Sequence, residues 1–161
     1  MAATIATIGV YEFDRKSFLE TLRDAGIDVV VDVRQRRGVR GSEYAWANAK
    51  RLQAALAEAG VDYVHMKELA PTTEMREAQY REDERRGEGK RSRTVLAPIY
   101  RRLYNEQILD PADLTPLDEL TFQRHPALLC VERDAAACHR SLIAEHLERE
   151  VGASVRHLLP P

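Results

Sequence analysis

The chain lacks the features that mark several large classes of protein. It has only two cysteines in 161 residues, which excludes a disulfide framework, and in a reducing compartment both are expected to be thiols. It has no apolar run of membrane-spanning length, and its first residues are too short and too neutral to form a signal peptide. We therefore predict a cytoplasmic protein without a membrane partner.

An excess of charge of one sign is also missing. The formal net charge is −2, so the chain has no overall positive field that would attract nucleic acid. A hydrophobic content of 44% and a charged content of 31% are typical of globular proteins. Because 161 residues suit one hydrophobic core, we predict a single domain over residues 1–161.

Short apolar runs rich in β-branched residues alternate with amphipathic helical patterns. Asp14 and Asn48 are the expected N-caps of the first two helices, and Gly26 and Gly60 the expected stops. This alternation predicts an α/β fold, a three-layer sandwich with a mostly parallel central sheet of about five strands and helices on both faces. The expected strands are 4–10, 27–33, 61–66, 127–131 and 154–159.

Residues 74–93 interrupt the alternation. A helix is expected from 74 to 86, although it offers few apolar positions, and the stretch 85–93 is charged and contains two glycines. Few apolar anchors and like charges favour motion in such a segment. We predict a mobile excursion, either a lid or a solvated loop.

The most informative segment lies between the fourth expected strand and the last helix. Cys130 closes the strand, and Cys138, His139 and Arg140 stand at the start of the helix. In a parallel sheet this crossing is where ligands bind, and a helix N-terminus favours anions and thiolates. Residues at the carboxyl ends of the other strands should lie at the same edge. The expected ligand-binding residues are Gly9, Tyr11, Arg34, Arg40, Lys67, Cys130, Arg140 and Ser141.

Four residues are candidate catalytic groups: Cys138, His139, Glu132 and Glu68. A lowered pKa would make Cys138 a nucleophile, and the alternative is a small buried residue that packs the helix on the sheet. The two glutamates are candidate general acids or bases.

The thiols allow two further hypotheses. A redox pair is open to Cys130 and Cys138, although their spacing is not a CxxC motif. A metal site formed by both cysteines, His139 and His157 has suitable ligand types but lacks paired ligand spacing. We therefore predict neither a metal nor a cofactor.

Arginines carry most of the positive charge, since the 24 basic residues comprise 20 arginines and 4 lysines. Arg140 and Arg34 could form a cradle for a phosphate or a carboxylate, or Arg140 could pair with a nearby acid. The basic loop around Arg34 to Arg40 is followed by Tyr44 and Trp46, a combination that can hold a nucleotide base or single-stranded nucleic acid. The alternative is a solvated loop in an arginine-rich protein.

These landmarks, in this order, resemble a bacterial family known as domain of unknown function 488. The resemblance implies a three-layer α/β fold and supplies no reaction. The chain departs from the usual family pattern at Val10-Tyr11, in the loop 35–41 and at Ala70-Pro71. The matching segments are 7–9, 31–34, 63–65, 68–69, 155–158 and, most specifically, 128–132 together with 138–144.

Three functions are consistent with the sequence. The first is an enzyme acting on a phosphorylated or otherwise anionic substrate, such as a nucleotide or a nucleic-acid end, at the carboxyl edge of the sheet. The second is a non-catalytic module that binds nucleic acid through the loop from Arg34 to Trp46. The third is a sulfur-transfer or redox protein, because the Val-Asp-Val-Arg strand and the Cys-to-Arg-Ser loop are loosely similar to rhodanese-like domains. The loop spacing of those domains is not matched.

Overall fold

Five parallel strands form a single sheet in a computed structural model that describes residues 2–89 and 91–161. The strand order is β3-β2-β4-β1-β5, and every neighbouring pair is parallel. This sheet confirms the predicted α/β fold. The strands are β1 (Thr4–Ile8), β2 (Val29–Asp32), β3 (Asp62–His65), β4 (Pro126–Leu129) and β5 (Ser154–Leu158).

Six α-helices connect the strands. The first begins with a capping box, in which Asp14 accepts from the backbone of Ser17 and the Ser17 hydroxyl accepts from the backbone of Asp14. Asn48 precedes the second helix, but its side chain accepts from Val39 N at 2.8 Å instead of capping the helix. The helices are α1 (Arg15–Asp24), α2 (Ala49–Glu58), α3 (Thr73–Arg85), α4 (Pro98–Tyr104), α5 (Thr115–Gln123) and α6 (Arg140–Val151).

The helices cover both faces of the sheet and make three layers. The pleat of β2 turns Val30 to the core beneath α1 and α2, and Val31 to the opposite core. On the first face Phe18 of α1 and Leu52 of α2 pack against the sheet. On the other face α3 to α6 supply a second core that includes Tyr104. Apolar strands that are buried on both faces therefore produced the sandwich that the sequence predicted.

The strands are shorter than the predicted apolar runs, because backbone groups at the strand ends form hydrogen bonds outside the sheet ladder. The backbone amides of Val10 and Tyr11 both donate to the carbonyl of Val131, at 3.0 Å, so β1 ends at Ile8. Ile27 donates to a carbonyl at the end of α1, so β2 begins two residues later than expected. The chain after β1 is thus held against the chain after β4 at the carboxyl edge of the sheet.

The segment 74–93 returns to this edge after α3. Its buried members Gln79, Asp83 and Arg93 contact the rest of the domain. The mobility of the exposed stretch between them stays a prediction, and Lys90 lies outside the described residues.

We predict that Gly9→Ala destabilises the protein by about 1–3 kcal/mol or more, because the added carbon would meet packed backbone. A Cβ on Gly9 would stand 2.0 Å from the carbonyl oxygen of Glu132. Gly38→Ala is the matched control, since its Cβ would meet nothing closer than 4.0 Å. Urea unfolding of the two variants measures the difference, and equal stabilities would contradict the close approach.

Candidate functional site

A cavity of about 680 Å³ opens at the carboxyl edge of the sheet. Its walls come from the ends of β2 and β4, the loop after β2, helix α3, the residues just before α4 and the start of α6. The structure therefore brings together most of the residues that the sequence placed at this edge. The predicted site residues that line the cavity are Tyr11, Arg34, Arg40, Cys130, Glu132, Cys138 and His139.

Five predicted site residues are not part of this lining. Lys67 and Glu68 are exposed in a short 3-10 helix that follows β3, the edge strand of the sheet. Gly9 has a packing role, because its missing side chain lets the chain after β1 approach the backbone of Glu132. The hydroxyl of Ser141 donates to the carbonyl of Cys138 at 2.8 Å.

Arg140, the fifth of these residues, is buried on the β5 side of the sheet and does not meet Arg34 in the cavity. Its Nη2 donates to the carbonyl of Arg133 at 3.1 Å, and its Nε and Nη1 have no hydrogen-bond partner among the described residues. Burial lowers the pKa of His157 on β5, and the charge of Arg140 lowers it further. Arg140 is thus bonded to the chain after β4 and acts on His157, and it is not part of the lining that contains Arg34.

Arg34 uses its guanidinium to hold the protein together. Its Nε and Nη2 donate to the Asp32 carboxylate at 2.9 and 2.8 Å, and its Nη1 donates to the carbonyl of Ala47 at 2.9 Å. The Tyr63 hydroxyl donates to the same carboxylate at 2.5 Å. Burial lowers the pKa of Arg34, but Asp32 outweighs burial and leaves that pKa raised. All three nitrogens are thus occupied by the protein itself.

A second buried ion pair joins the excursion to the sheet. Arg93 donates to Asp83 at 2.5 Å, to Glu132 at 3.0 Å and to the carbonyl of Ala137 at 3.2 Å. Gln79 donates to the other oxygen of Asp83 and accepts from the backbone of Ala97. Sequence reasoning missed this network. Its signal was a stripe at four-residue spacing on α3, in which polar Gln79 and Asp83 continue the buried face of Met75.

Both cysteines and His139 meet at one point of the cavity wall. The Sγ atoms of Cys130 and Cys138 lie 3.8 and 3.6 Å from His139 Nδ1. His139 Nε2 lies 2.7 Å from the carbonyl of Val33, which can only accept, so in the neutral ring Nε2 carries the proton. The three potential ligand atoms lie within 4.8 Å of one another and could hold a metal ion. His157 is not among them, because its Nδ1 lies 2.8 Å from Thr7 Oγ1.

The environment of Cys138 is dry rather than activating. Burial and the neighbouring Cys130 raise the pKa of its thiol to about 11, against the lowering effects of His139 and Arg140. This direction favours the packing role of Cys138 over a nucleophile, because desolvation outweighs the nearby positive charge. Burial lowers the pKa of His139, but the contacts with Cys138 and the Val33 carbonyl outweigh burial and leave that pKa raised.

Of the four remaining arginines of the lining, only Arg91 has an ion pair in the described part of the chain. Arg36 and Arg40 are exposed and form no ion pair within the described part of the chain. Arg76 donates only to neutral groups, Gln35 and the Tyr80 hydroxyl. Arg91 lies over the rings of Tyr11 and Tyr44 and is 3.6 Å from a carboxylate oxygen of Glu43.

The aromatic residues of the basic loop face the domain. The ring of Trp46 packs against Phe18, with centroids 4.9 Å apart, and Tyr44 packs against Tyr11 at 5.4 Å. The Trp46 Nε1 is buried, with no hydrogen-bond partner among the described residues. These rings already pack against other aromatic rings of the protein in tilted pairs.

Fold and cavity together define a parallel α/β domain with its candidate site at the carboxyl edge of the sheet. The family model described as "Domain of unknown function DUF488" matches residues 14–147. The chain belongs to this family, which confirms the resemblance inferred from its motifs. Searches of the curated proteins and of the solved structures found no match. No helix in the described ranges is long and apolar enough to cross a membrane.

We predict that Arg34→Leu destabilises the protein by about 3–5 kcal/mol, because Asp32 would remain buried without its cation. Arg34→Lys should lie between this variant and the natural protein, since an ammonium keeps the charge but not the two parallel hydrogen bonds. Arg51→Leu, on the exposed side of α2, is the control and should change stability by less than about 0.5 kcal/mol. Chemical unfolding measures all three, and a small loss for Arg34→Leu would contradict a structural role.

Proposed function

We propose that the protein is an enzyme acting on a phosphorylated or otherwise anionic substrate, such as a nucleotide or a nucleic-acid end, bound in this cavity. One observation carries the proposal. Among the described residues the cavity is lined by six arginines and one carboxylate, that of Glu132. Guanidinium groups bind phosphate through paired hydrogen bonds, so this lining favours an anionic ligand.

The positive charge of the lining exceeds what the protein neutralises. Arg34 is paired with Asp32, and Arg93 is paired with Asp83 and Glu132. Among the described residues, the other four lining arginines form one ion pair, between Arg91 and Glu43. A bound anion would supply the missing charge, and because the cavity walls restrict water the attraction would exceed that at an open surface.

Size and shape also support a nucleotide-like ligand. A volume of about 680 Å³ lies within the range of pockets that enclose small organic molecules. Tyr80 is 37% exposed and lines the cavity beside Arg76, so its ring offers a surface on which a base could stack. The cavity thus combines cations for a phosphate with an aromatic surface for an apolar part of the ligand.

One lining group is suited to proton transfer. The Glu132 carboxylate can act as a general acid or base, whereas both ring nitrogens of His139 already face groups of the protein, the Val33 carbonyl and the two thiols. Cys138 as a nucleophile is less well supported, since its thiol pKa of about 11 leaves little thiolate at neutral pH. The same property argues against sulfur transfer of the rhodanese type, in which a cysteine is the nucleophile.

The runner-up is a non-catalytic module for nucleic acid. Exposed Arg36 and Arg40 favour it, since both could contact a phosphate backbone. The inward packing of Trp46 and Tyr44 does not, because bases could not stack on rings that are already covered. Binding of oligonucleotides that weakens with salt, without turnover of any phosphorylated compound, would favour the module.

We predict that pyrophosphate and nucleoside diphosphates bind the natural protein and that Arg40→Gln and Arg76→Gln each weaken the binding by about ten- to a hundredfold. This loss of affinity is what the removal of one charged hydrogen-bonding group is expected to cause. Isothermal titration calorimetry measures the affinities. Arg51→Gln, which removes an exposed arginine outside the cavity, is the matched control and should bind as the natural protein does. Absence of binding to the natural protein, or equal losses in all three variants, would contradict the proposed ligand.

We predict that Glu132→Gln lowers turnover by about a hundredfold or more while ligand affinity changes by only a few-fold, because the amide cannot transfer a proton. Phosphate release from nucleotides and from phosphorylated oligonucleotides is the assay. Glu119→Gln, at an exposed position of α5, is the control for removing one carboxylate. If the Glu132 variant unfolds at the same denaturant concentration and retains full turnover, the role assigned to this carboxylate is wrong.

A further inference from the structure

We propose that Cys130, Cys138 and His139 form a zinc site with three protein ligands, and that the fourth position of the metal opens to the cavity. The site is inferred from the placement of these three side chains and does not depend on what the cavity binds. All three are buried and all three line the cavity.

The two sulfur-to-nitrogen distances match a tetrahedral zinc centre. With Zn–S of about 2.3 Å and Zn–N of about 2.0–2.1 Å, tetrahedral angles require S···N of about 3.6 Å and S···S of about 3.8 Å. The two observed S···N distances are 3.6 and 3.8 Å, and all three atoms lie within 4.8 Å of one another. The side chains need only small movements to coordinate one ion.

The imidazole of His139 is held as a metal ligand would be. Its Nε2 hydrogen bond to the Val33 carbonyl, at 2.7 Å, directs Nδ1 toward both sulfurs. Histidine ligands commonly donate their second N–H to a carbonyl, which fixes the tautomer and the ring orientation. The ring of Tyr104 packs beside the imidazole at 5.4 Å, and its own hydroxyl is anchored to the carbonyl of Leu69. The Val33 carbonyl and the Tyr104 ring therefore hold the imidazole in the orientation that metal binding requires.

The chemistry of the set favours zinc. Thiolate and imidazole are ligands that zinc prefers, and two thiolates neutralise its charge. Binding forms two Zn–S bonds and one Zn–N bond and releases the two thiol protons to solvent. Among the residues that the structure describes, no further histidine, cysteine or carboxylate joins the group as a fourth ligand. Three protein ligands with an open position are typical of zinc that contacts a substrate or water.

The experiment measures metal in the full-length protein purified under reducing conditions, without any substrate. We expect elemental analysis to find about one zinc per chain. After chelation, cobalt added to the natural protein should produce the intense visible bands of tetrahedral coordination and the ultraviolet sulfur-to-cobalt charge-transfer band. This measurement needs no variant, so it tests the site even if substitutions impair folding.

Variants then assign the ligands. Cys138→Ser and His139→Ala should each reduce zinc affinity at least tenfold, whereas His125→Ala, which removes an exposed histidine, should leave it unchanged. Retention of full affinity by the first two variants would overturn the assignment.

Two results on the natural protein would overturn the proposal itself. One is a folded, reduced protein that neither contains zinc nor binds cobalt. The other is a mass two hydrogens lower than the reduced chain, with no free thiol after denaturation, because the cysteines would then form a disulfide. Neither result depends on pyrophosphate or nucleotide binding, so this inference and the proposed substrate fail separately.

Discussion

The ion pair between Asp32 and Arg34 is the interaction on which the arrangement of the cavity depends. It is fully buried at the end of β2, and it draws Tyr63 of β3 and the carbonyl of Ala47 to the same point. The strand is thereby fixed one residue before the Val33 carbonyl that orients His139. Because a buried charge without its partner is costly, this edge has little freedom to rearrange. The carbonyl that orients the imidazole next to the two thiols is therefore held in a fixed position.

A second buried cation has the same effect on the opposite wall. Arg93 connects α3, through Asp83, with Glu132 beyond β4. The charged segment before α4 is therefore part of the cavity wall where Arg93 anchors it. One consequence concerns Glu132, whose carboxylate is both a partner of a structural arginine and the single acid among the described lining residues. Its chemistry and the position of the wall are coupled through one guanidinium.

The fold could be predicted because its causes are local. Apolar runs rich in β-branched residues defined the strands, and Asp14 is the N-cap of the first helix, as expected. For the site, the sequence predicted its location at the carboxyl edge of the sheet but not which side chains meet there. Whether Arg34 binds the protein or a ligand, and whether Arg140 points to β2 or to β5, depends on strand order and side-chain direction, which no short motif encodes. Arg93 was missed for the same reason, since its partners are 10 and 39 residues away in the sequence.

Contributions to the cavity are divided unevenly along the chain. The sheet edge supplies the thiols, the imidazole and the acid, whereas the stretch from Pro71 to Arg93 supplies three of the six lining arginines and the exposed ring of Tyr80. That stretch lies outside the strand ladders, between β3 and α4. Within it, Asp83 and Arg93 are tied to Glu132, whereas Arg76, Tyr80 and Arg91 are outside that network. Substitutions at these three positions can therefore change the surface of the cavity while the thiols, the imidazole and the acid keep their places. Under the proposed function, ligand preference can diversify at these three positions at little cost to the sheet edge.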